Sequence, residues 1–242
     1  MRCLIVVPAR MGSTRFPGKP LCDLAGKPMV QWVVERAQAS GVADRTVVAS
    51  PDQEIVEACE RFGAEAVLTS GEHRTGTDRV AEVAQRIEAD VYVNVQGDEP
   101  LLRPETIQAC ARPLLDDGRI QMGSVYSECP QDELDNPDVV KVVTDRDGYA
   151  LYFSRFAVPY GQEGRTEPVK KHVGIYAYTR SVLESFAQWP QSPLEMAEAL
   201  EQLRFLENGI RIKMSRGEGS EMAVDTPEQA DAVRSILAGR TV

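Results

Sequence analysis

Arg10, Ser13, Arg15 and Lys19 stand close together near the start of the chain, in the string PARMGSTRFPGKPL. From Pro8 to Lys19 there are also two glycines and two prolines, and no acidic residue. Backbone donors in such a loop, together with its cations, suit a bound polyphosphate. The loop is not a P-loop. Five residues separate Gly12 from Gly18, and Pro20 follows Lys19 where a magnesium-binding Ser or Thr would stand. On residue types alone it also reads as a solvated connection. Two carboxylates invite a second kind of chemistry: Asp98 in NVQGDEP and Asp225 in VDTP. Magnesium takes hard oxygen ligands and is typically held by one or two carboxylates plus substrate phosphates. Each aspartate has a plainer alternative as a helix N-cap, worth about 1 kcal/mol. A third group is HRTGTDR, residues 73–79, where Gly76 admits a close backbone approach and Thr75, Thr77 and Arg79 supply donors.

These groups must be positioned by regular elements. Leu4 to Val7 is an apolar run of the kind found in parallel strands buried on both faces, ended by Pro8. The basic loop therefore lies past a strand's carboxyl end, the edge at which α/β sheets hold ligands. Helix-like periodicity follows over 28–40, then a strand at 45–49 and a helix over 51–62 closed by Gly63. A strand at 64–68, a helix over 78–87, a strand through Val91, Val93 and Val95 and a helix from Pro104 to about Gly118 complete this part. Such alternation predicts βαβ units on a mostly parallel, Rossmann-like sheet flanked by helices. Asp98 then leaves the sheet on the same side as the basic loop.

From Val139 the pattern changes. VVKVVTDRDGYALYF reads as two strands joined by a turn at 145–148, residues 161–170 as an exposed loop, and 173–178 as another strand. This is an inserted antiparallel β segment, about 139–178, in a chain that otherwise reads as one domain over 1–242. Ser192-Pro-Leu-Glu195 is a capping-box pattern opening a helix expected to run to Glu207, ahead of Asn208-Gly209. A strand over 210–214, a short one closing at Val224 and a helix over 227–237 finish the chain.

The formal charge of −10 argues against nucleic acid and anionic membranes as partners. An anionic substrate must be received by local cations and metal. Five scattered cysteines without a C-x-x-C pair suggest reduced thiols and a cytoplasmic protein. No signal peptide is expected, since only five apolar residues lie between Arg2 and Pro8, and no run is long enough to cross a membrane.

PAR followed by STRFPGKPL resembles the signature loop of the sugar nucleotidylyltransferases, above all those that make CMP-linked 3-deoxy-manno-octulosonate (Kdo). QGDEP, HRTGTDR, YFSR, KHVGIYAY, LEQLR and VDTP resemble further family elements in the same order, from residue 8 to 227. Met11-Gly12 and Phe16 depart from the commoner residues, and GEGSEMAVD is an unusual approach to Asp225. The resemblance implies a nucleotide-diphospho-sugar transferase fold and transfer of CMP from CTP to Kdo or its 8-amino form, for lipopolysaccharide biosynthesis. It implies catalysis by Lys19, Arg10, Asp98 and Asp225, with Mg2+ on the two aspartates. CTP would meet Pro8, Ala9, Arg10, Ser13, Arg15, Lys19, Thr75, Gly76, Arg79 and Gln96. The sugar acid would meet Gln96, Arg155, His172, Tyr176, Glu201 and Gln202. A homodimer pairing through the inserted β segment is implied as well. CMP-activation of another acidic sugar, such as a sialic-acid-like nonulosonate, stays open, and so do two readings of other classes. One is a metal-dependent glycosyltransferase, which would usually carry Asp-x-Asp where this chain has Gly97-Asp98-Glu99. The other is a nucleotide-binding regulator without turnover.

Overall fold

In a computed structural model, which describes residues 1–73, 75–161, 168–218 and 222–239, the apolar run at the start is strand β1 (Cys3–Pro8). It lies inside the sheet, as four consecutive buried residues require. Its parallel neighbours are β4 (Arg45–Ser50) on one side and β6 (Val91–Asn94) on the other. The two-residue strands β2 (Asp23–Leu24) and β3 (Lys27–Pro28) form a separate small ribbon. Beyond β4 lies β5 (Glu65–Leu68). Beyond β6 come β10 (Lys170–Thr179), β7 (Met122–Glu128) and β11 (Ile212–Arg216), giving the order β11-β7-β10-β6-β1-β4-β5. Along this row only β10 runs against the rest. The mostly parallel sheet expected from the alternating pattern is therefore present.

The hairpin expected after Val139 is β8 (Lys141–Thr144) and β9 (Ala150–Ser154), with Gly148 at φ +77° in the turn. Strand β10 begins beside β8 and then, after a register shift between Val173 and Tyr176, continues into the main sheet against β6. One strand thus carries the chain from the hairpin back to the centre. Of the loop expected over 161–170, residues 162–167 lie outside the described residues, as do Ser220 and Glu221 before Asp225.

Helices α1 (Met29–Ala39), α2 (Gln53–Arg61) and α4 (Pro104–Asp116) cover one face through Val30, Val33, Ile55, Cys59, Ile107 and Leu114. Helices α3 (Gly76–Arg86), α5 (Arg180–Phe186) and α7 (Gln202–Glu207) cover the other, through Val80, Val83, Leu183, Phe186, Leu203 and Phe205. The last helix, α8 (Pro227–Leu237), joins a third cluster in which Val224, Ala230 and Val233 meet Leu24, Met29 and Leu101. A large apolar side chain contributes about 1.5–3 kcal/mol when buried. Several together anchor the end of the chain beside the loop that carries Lys19.

Some elements differ from expectation, each for a local reason. The helix expected over 192–207 is two: α6 (Pro193–Glu198) and α7, separated by Ala199 at φ +52°. Arg155 Nε takes the Glu198 carbonyl at 2.7 Å, so that oxygen does not serve a continuing helix. Helix α3 begins at Gly76, earlier than expected, because Thr75 and Asp78 form a reciprocal cap. Pro51 precedes the cap of α2 rather than opening its first turn. Val224 is in no strand; its N–H donates to the Asp98 carbonyl at 2.9 Å. Strand β7 had no sequence signal, because Gly123, Ser124 and Ser127 break its apolar alternation. Gly123 is needed there, since a Cβ would stand 2.7 Å from the Cys110 carbonyl oxygen. All five cysteines are free, and Cys3, Cys59 and Cys110 are packed in the core. Among the described residues no helix is long and apolar enough to cross a membrane.

Candidate active site

A cleft of about 350 Å³ opens past the carboxyl ends of β1 and β6. Its first wall is the basic loop, which is folded by its own backbone. Ala9 N–H donates to the Ala49 carbonyl at 3.0 Å, and Met11 N–H to Asp52 Oδ2 at 2.7 Å. The Met11 carbonyl accepts from the N–H groups of Ser13 (2.9 Å) and Gly18 (3.1 Å), closing the loop on itself. Gly18 has φ +73°, a left-handed conformation that favours glycine, and it turns the chain into a short 3₁₀ turn over Lys19–Leu21. Lys19 is thereby aimed into the cleft, beside Arg10, Ser13 and Arg15.

The floor is made by two distant aspartates. A Cβ on Gly97 would stand 2.4 Å from the Pro8 carbonyl oxygen, so only glycine lets the turn after β6 pack against the end of β1. Asp98 follows. Lys19 Nζ donates to Asp98 Oδ2 at 2.8 Å, to Asp225 Oδ1 at 2.9 Å and to the Val224 carbonyl at 2.9 Å. Arg15 reaches Asp225 Oδ2 at 2.9 Å. Neither aspartate caps a helix. The cap of α8 is Thr226, whose hydroxyl accepts from Gln229 N–H, while Gln229 Oε1 accepts from the N–H groups of Asp225 and Thr226. That of α4 is Arg103. Burial alone would lower the Lys19 pKa, but the charges and hydrogen bonds of Asp98 and Asp225 outweigh it and raise it, so the ammonium is firmly charged.

Thr75, Gly76, Arg79, Gln96 and His73 form the opposite wall. Thr75 and Asp78 hold the start of α3 by exchanging hydrogen bonds of 3.0 and 3.2 Å. A Cβ on Gly76 would meet Asn94, Gln96 and Pro8 only at 3.6 Å, an ordinary contact. Arg79 is buried, bonded to the Thr69 hydroxyl and, at 3.1 Å, to the Ser70 carbonyl. Burial and then the nearby Arg10 lower its pKa, against the carboxylates of Glu82, Asp52 and Asp78. His73 pairs with Glu82.

The structure thus brings together Pro8, Ala9, Arg10, Ser13, Arg15, Lys19, Thr75, Gly76, Arg79, Gln96, Asp98 and Asp225. It does not bring Arg155, His172, Tyr176, Glu201 or Gln202 to the cleft surface. Four of these form or adjoin a band behind the start of α3. His172 is buried edge-on to Phe153, with Nε2 3.0 Å from Ser124 Oγ, and burial lowers its pKa to about 3, so it is neutral. Tyr176 lies between His172 and Tyr178, with ring centroids at 5.4 and 5.9 Å. The Glu201 carboxylate accepts from the Thr77 hydroxyl, and burial raises its pKa, so it is not on a solvated face. Gln202 is buried beside it in sequence. Arg155 is committed elsewhere. Its guanidinium reaches the carbonyls of Glu198, Pro137 (2.8 Å) and Ala199 (3.4 Å), and its N–H donates to Glu198 Oε2 at 3.0 Å. The plainer reading of Arg155, a pair with a surface acid, is not what is seen either: its guanidinium serves backbone carbonyls, and only its main-chain N–H meets a carboxylate. Sequence reasoning missed Asp52, whose carboxylate fixes the loop at Met11, because the two are joined only through the sheet.

A family model described as cytidylyltransferase matches residues 4–212. The chain belongs to the cytidylyltransferase family. Within that family it is 46% identical to the 3-deoxy-manno-octulosonate cytidylyltransferase of Trichlorobacter lovleyi, over 98% of this chain and 99% of that protein. It is 43% identical to the enzyme of the same name from Escherichia coli, over 98% and 96% of the two chains. A solved structure of CMP:2-keto-3-deoxy-manno-octonic acid synthetase complexed with CTP matches with a TM-score of 0.96 and 41% identity, covering 99% of both chains. The fold is thus shared along nearly the whole length.

Proposed function

We propose that this cytidylyltransferase transfers CMP from CTP to the anomeric hydroxyl of Kdo, releasing pyrophosphate and supplying CMP-Kdo for lipopolysaccharide biosynthesis. The observation that carries the reading is Lys19, aimed by a donor-rich loop at the two aspartates of a cleft that also holds Arg10, Arg15 and Arg79. The sugar hydroxyl oxygen forms the new bond to the α-phosphorus and gives up its proton to water, while the bond from the α-phosphorus to the bridging oxygen of the β-phosphate breaks and pyrophosphate leaves with the electron pair. No protein nucleophile is needed, and rate comes from positioning and charge stabilisation. Lys19 neutralises charge building on the α-phosphate. Arg10, Ser13 and Arg15 hold the β and γ groups with Pro8 and Ala9 lining the loop side, and Thr75, Gly76 and Arg79 face the base. Asp98 and Asp225, hard donors converging on one point, fit Mg2+, which when bound supplies Lewis-acid stabilisation of the phosphates.

On the sugar side, Gln96 meets the acid at the cleft, and His172, Tyr176, Glu201 and Gln202 back it. Arg155 would have to release its carbonyls to reach the sugar carboxylate. The test is pyrophosphate release with CTP, Mg2+ and either Kdo or its 8-amino analogue, with sialic acid as control. Release that depends on an octulosonate supports the reading, and the faster sugar names the substrate. Bound CTP with silence from both sugars defeats it.

We further propose a cytoplasmic homodimer paired through the hairpin side of the molecule. Phe156 and Tyr160, just after β9, are 82% and 90% exposed, and Leu151 and Met196 are exposed as well. Large exposed apolar side chains mark interaction surfaces when they gather. Phe156→Asp combined with Tyr160→Asp is expected to halve the mass measured by light scattering at micromolar concentration. An unchanged dimer mass would place the interface elsewhere.

A further inference from the structure

We propose that Lys19 is an internal counterion that keeps divalent metal off the Asp98–Asp225 pair until nucleotide draws it away, so that metal does not enter the empty cleft first. The proposal rests on the reading of the cleft as a CTP and metal site. An ammonium has three donors. Those of Lys19 meet three oxygens from separate points of the chain: Asp98 Oδ2 at 2.8 Å, Asp225 Oδ1 at 2.9 Å and the Val224 carbonyl at 2.9 Å. Nζ thus sits where the two carboxylates converge, in a seat of two anionic oxygens and one carbonyl. The second oxygen of Asp225 is taken by Arg15 at 2.9 Å. Two negative and two positive side chains make a neutral cluster, which attracts a divalent ion far less than a bare carboxylate pair does.

Among the described residues no group of three or more His, Cys, Asp and Glu could hold a metal ion. The two carboxylates that converge in the cleft, Asp98 and Asp225, are both engaged by cations. A triphosphate competes for Lys19 and Arg15, and in doing so it frees the carboxylates and adds its own oxygens. Nucleotide and metal then assist each other's binding, and linkage makes the assistance reciprocal.

The test titrates nucleotide-free protein with Mn2+ and follows the free-ion EPR signal, which avoids chelation by CTP. Wild type is compared with Lys19→Met, which keeps an apolar stem, and with Lys19→Gln, which keeps a neutral donor should the Met variant fold poorly. Each variant is expected to bind Mn2+ at least ~10-fold more tightly than wild type, within the usual range of coupling between sites. Adding Asp98→Asn to Lys19→Met is expected to abolish the gain. Equal affinities in wild type and both variants overturn the proposal, as does absence of binding in variants whose melting matches wild type. CTP binding and pyrophosphate release are measured on the same wild-type preparation. An active enzyme with unchanged Mn2+ affinities strikes the counterion role alone, whereas failure to bind CTP strikes the reading of the cleft.

Discussion

Lys19→Ala is expected to lower turnover at least ~100-fold, the size found when one charge-stabilising donor is removed from a transition state. The reason lies in where Nζ is held. It is the least exposed cation of the loop by side chain, 13% against 67% for Arg15, and it stands between Asp98 and Asp225, where the phosphates and the metal would meet. Its ammonium has only to pass from these carboxylates to the adjacent phosphates, and the charge it then neutralises builds as the transition state forms, so its loss falls on the rate. Binding of CTP should weaken less, because Arg10, Ser13 and Arg15 remain. Folding should change little. Asp98 and Asp225 are each about one-third exposed, so water can solvate them, and Arg15 still pairs with Asp225. Pyrophosphate release under saturating substrates, beside a urea melt, checks both halves. A variant turning over at near-normal rate would remove Lys19 from the chemistry.

What the sequence made legible depended on distance along the chain. The strand–loop unit from Cys3 to Lys19 could be read because burial, the terminating proline and the cluster of cations are all local. The final helix over 227–237 could be read to the residue, since Pro227 sits at its first position. The plainer alternative for Asp225, a helix N-cap, falls one residue short: the cap is Thr226, and that frees Asp225 for Lys19. Convergence of Asp98 and Asp225 was not legible from spacing, because it depends on Gly97 packing against Pro8 and on Val224 bonding to Asp98. Family resemblance supplied that pairing, and in the structure both aspartates meet Lys19 Nζ. The break between α6 and α7 was hidden for the same kind of reason. Local propensity over 193–207 favours one helix, and the side chain that interrupts it, Arg155, arrives from just past the end of β9. Strand β7 is legible only once β10 and β11 stand on either side of it.

Arg204→Met is expected to destabilise the protein by about 3–5 kcal/mol, the range for removing one partner of a buried ion pair. Arg204 Nε donates to Glu195 Oε2 at 2.7 Å, and the two side chains are only 6% and 5% exposed. The guanidinium also lies 4.1 Å from the centre of the Phe186 ring. Methionine fills much of the volume but leaves a carboxylate in the interior without its cation. Urea melts should show a lower midpoint at similar slope, and the melting temperature should fall by roughly 6–20 °C for a chain of this size. The pH dependence separates loss of charge from loss of packing. In the wild type, burial would raise the Glu195 pKa, but hydrogen bonds from Arg204 and from Ser192 N–H outweigh it and hold it below the ordinary 4.5. A depressed folded pKa gives stability that is present above the unfolded value and is lost as pH falls through the folded one. Without Arg204 the same burial raises the pKa, so the variant's penalty is present at neutral pH and relieved in acid. The two stabilities should therefore converge as pH drops from 7 towards 4. Adding Glu195→Met should recover most of the loss, since an apolar pair of similar volume often matches a buried ion pair. A gap that ignores pH, or a double variant no better than the single, would mean that Arg204 stabilises the α6–α7 turn through packing on Phe186 alone.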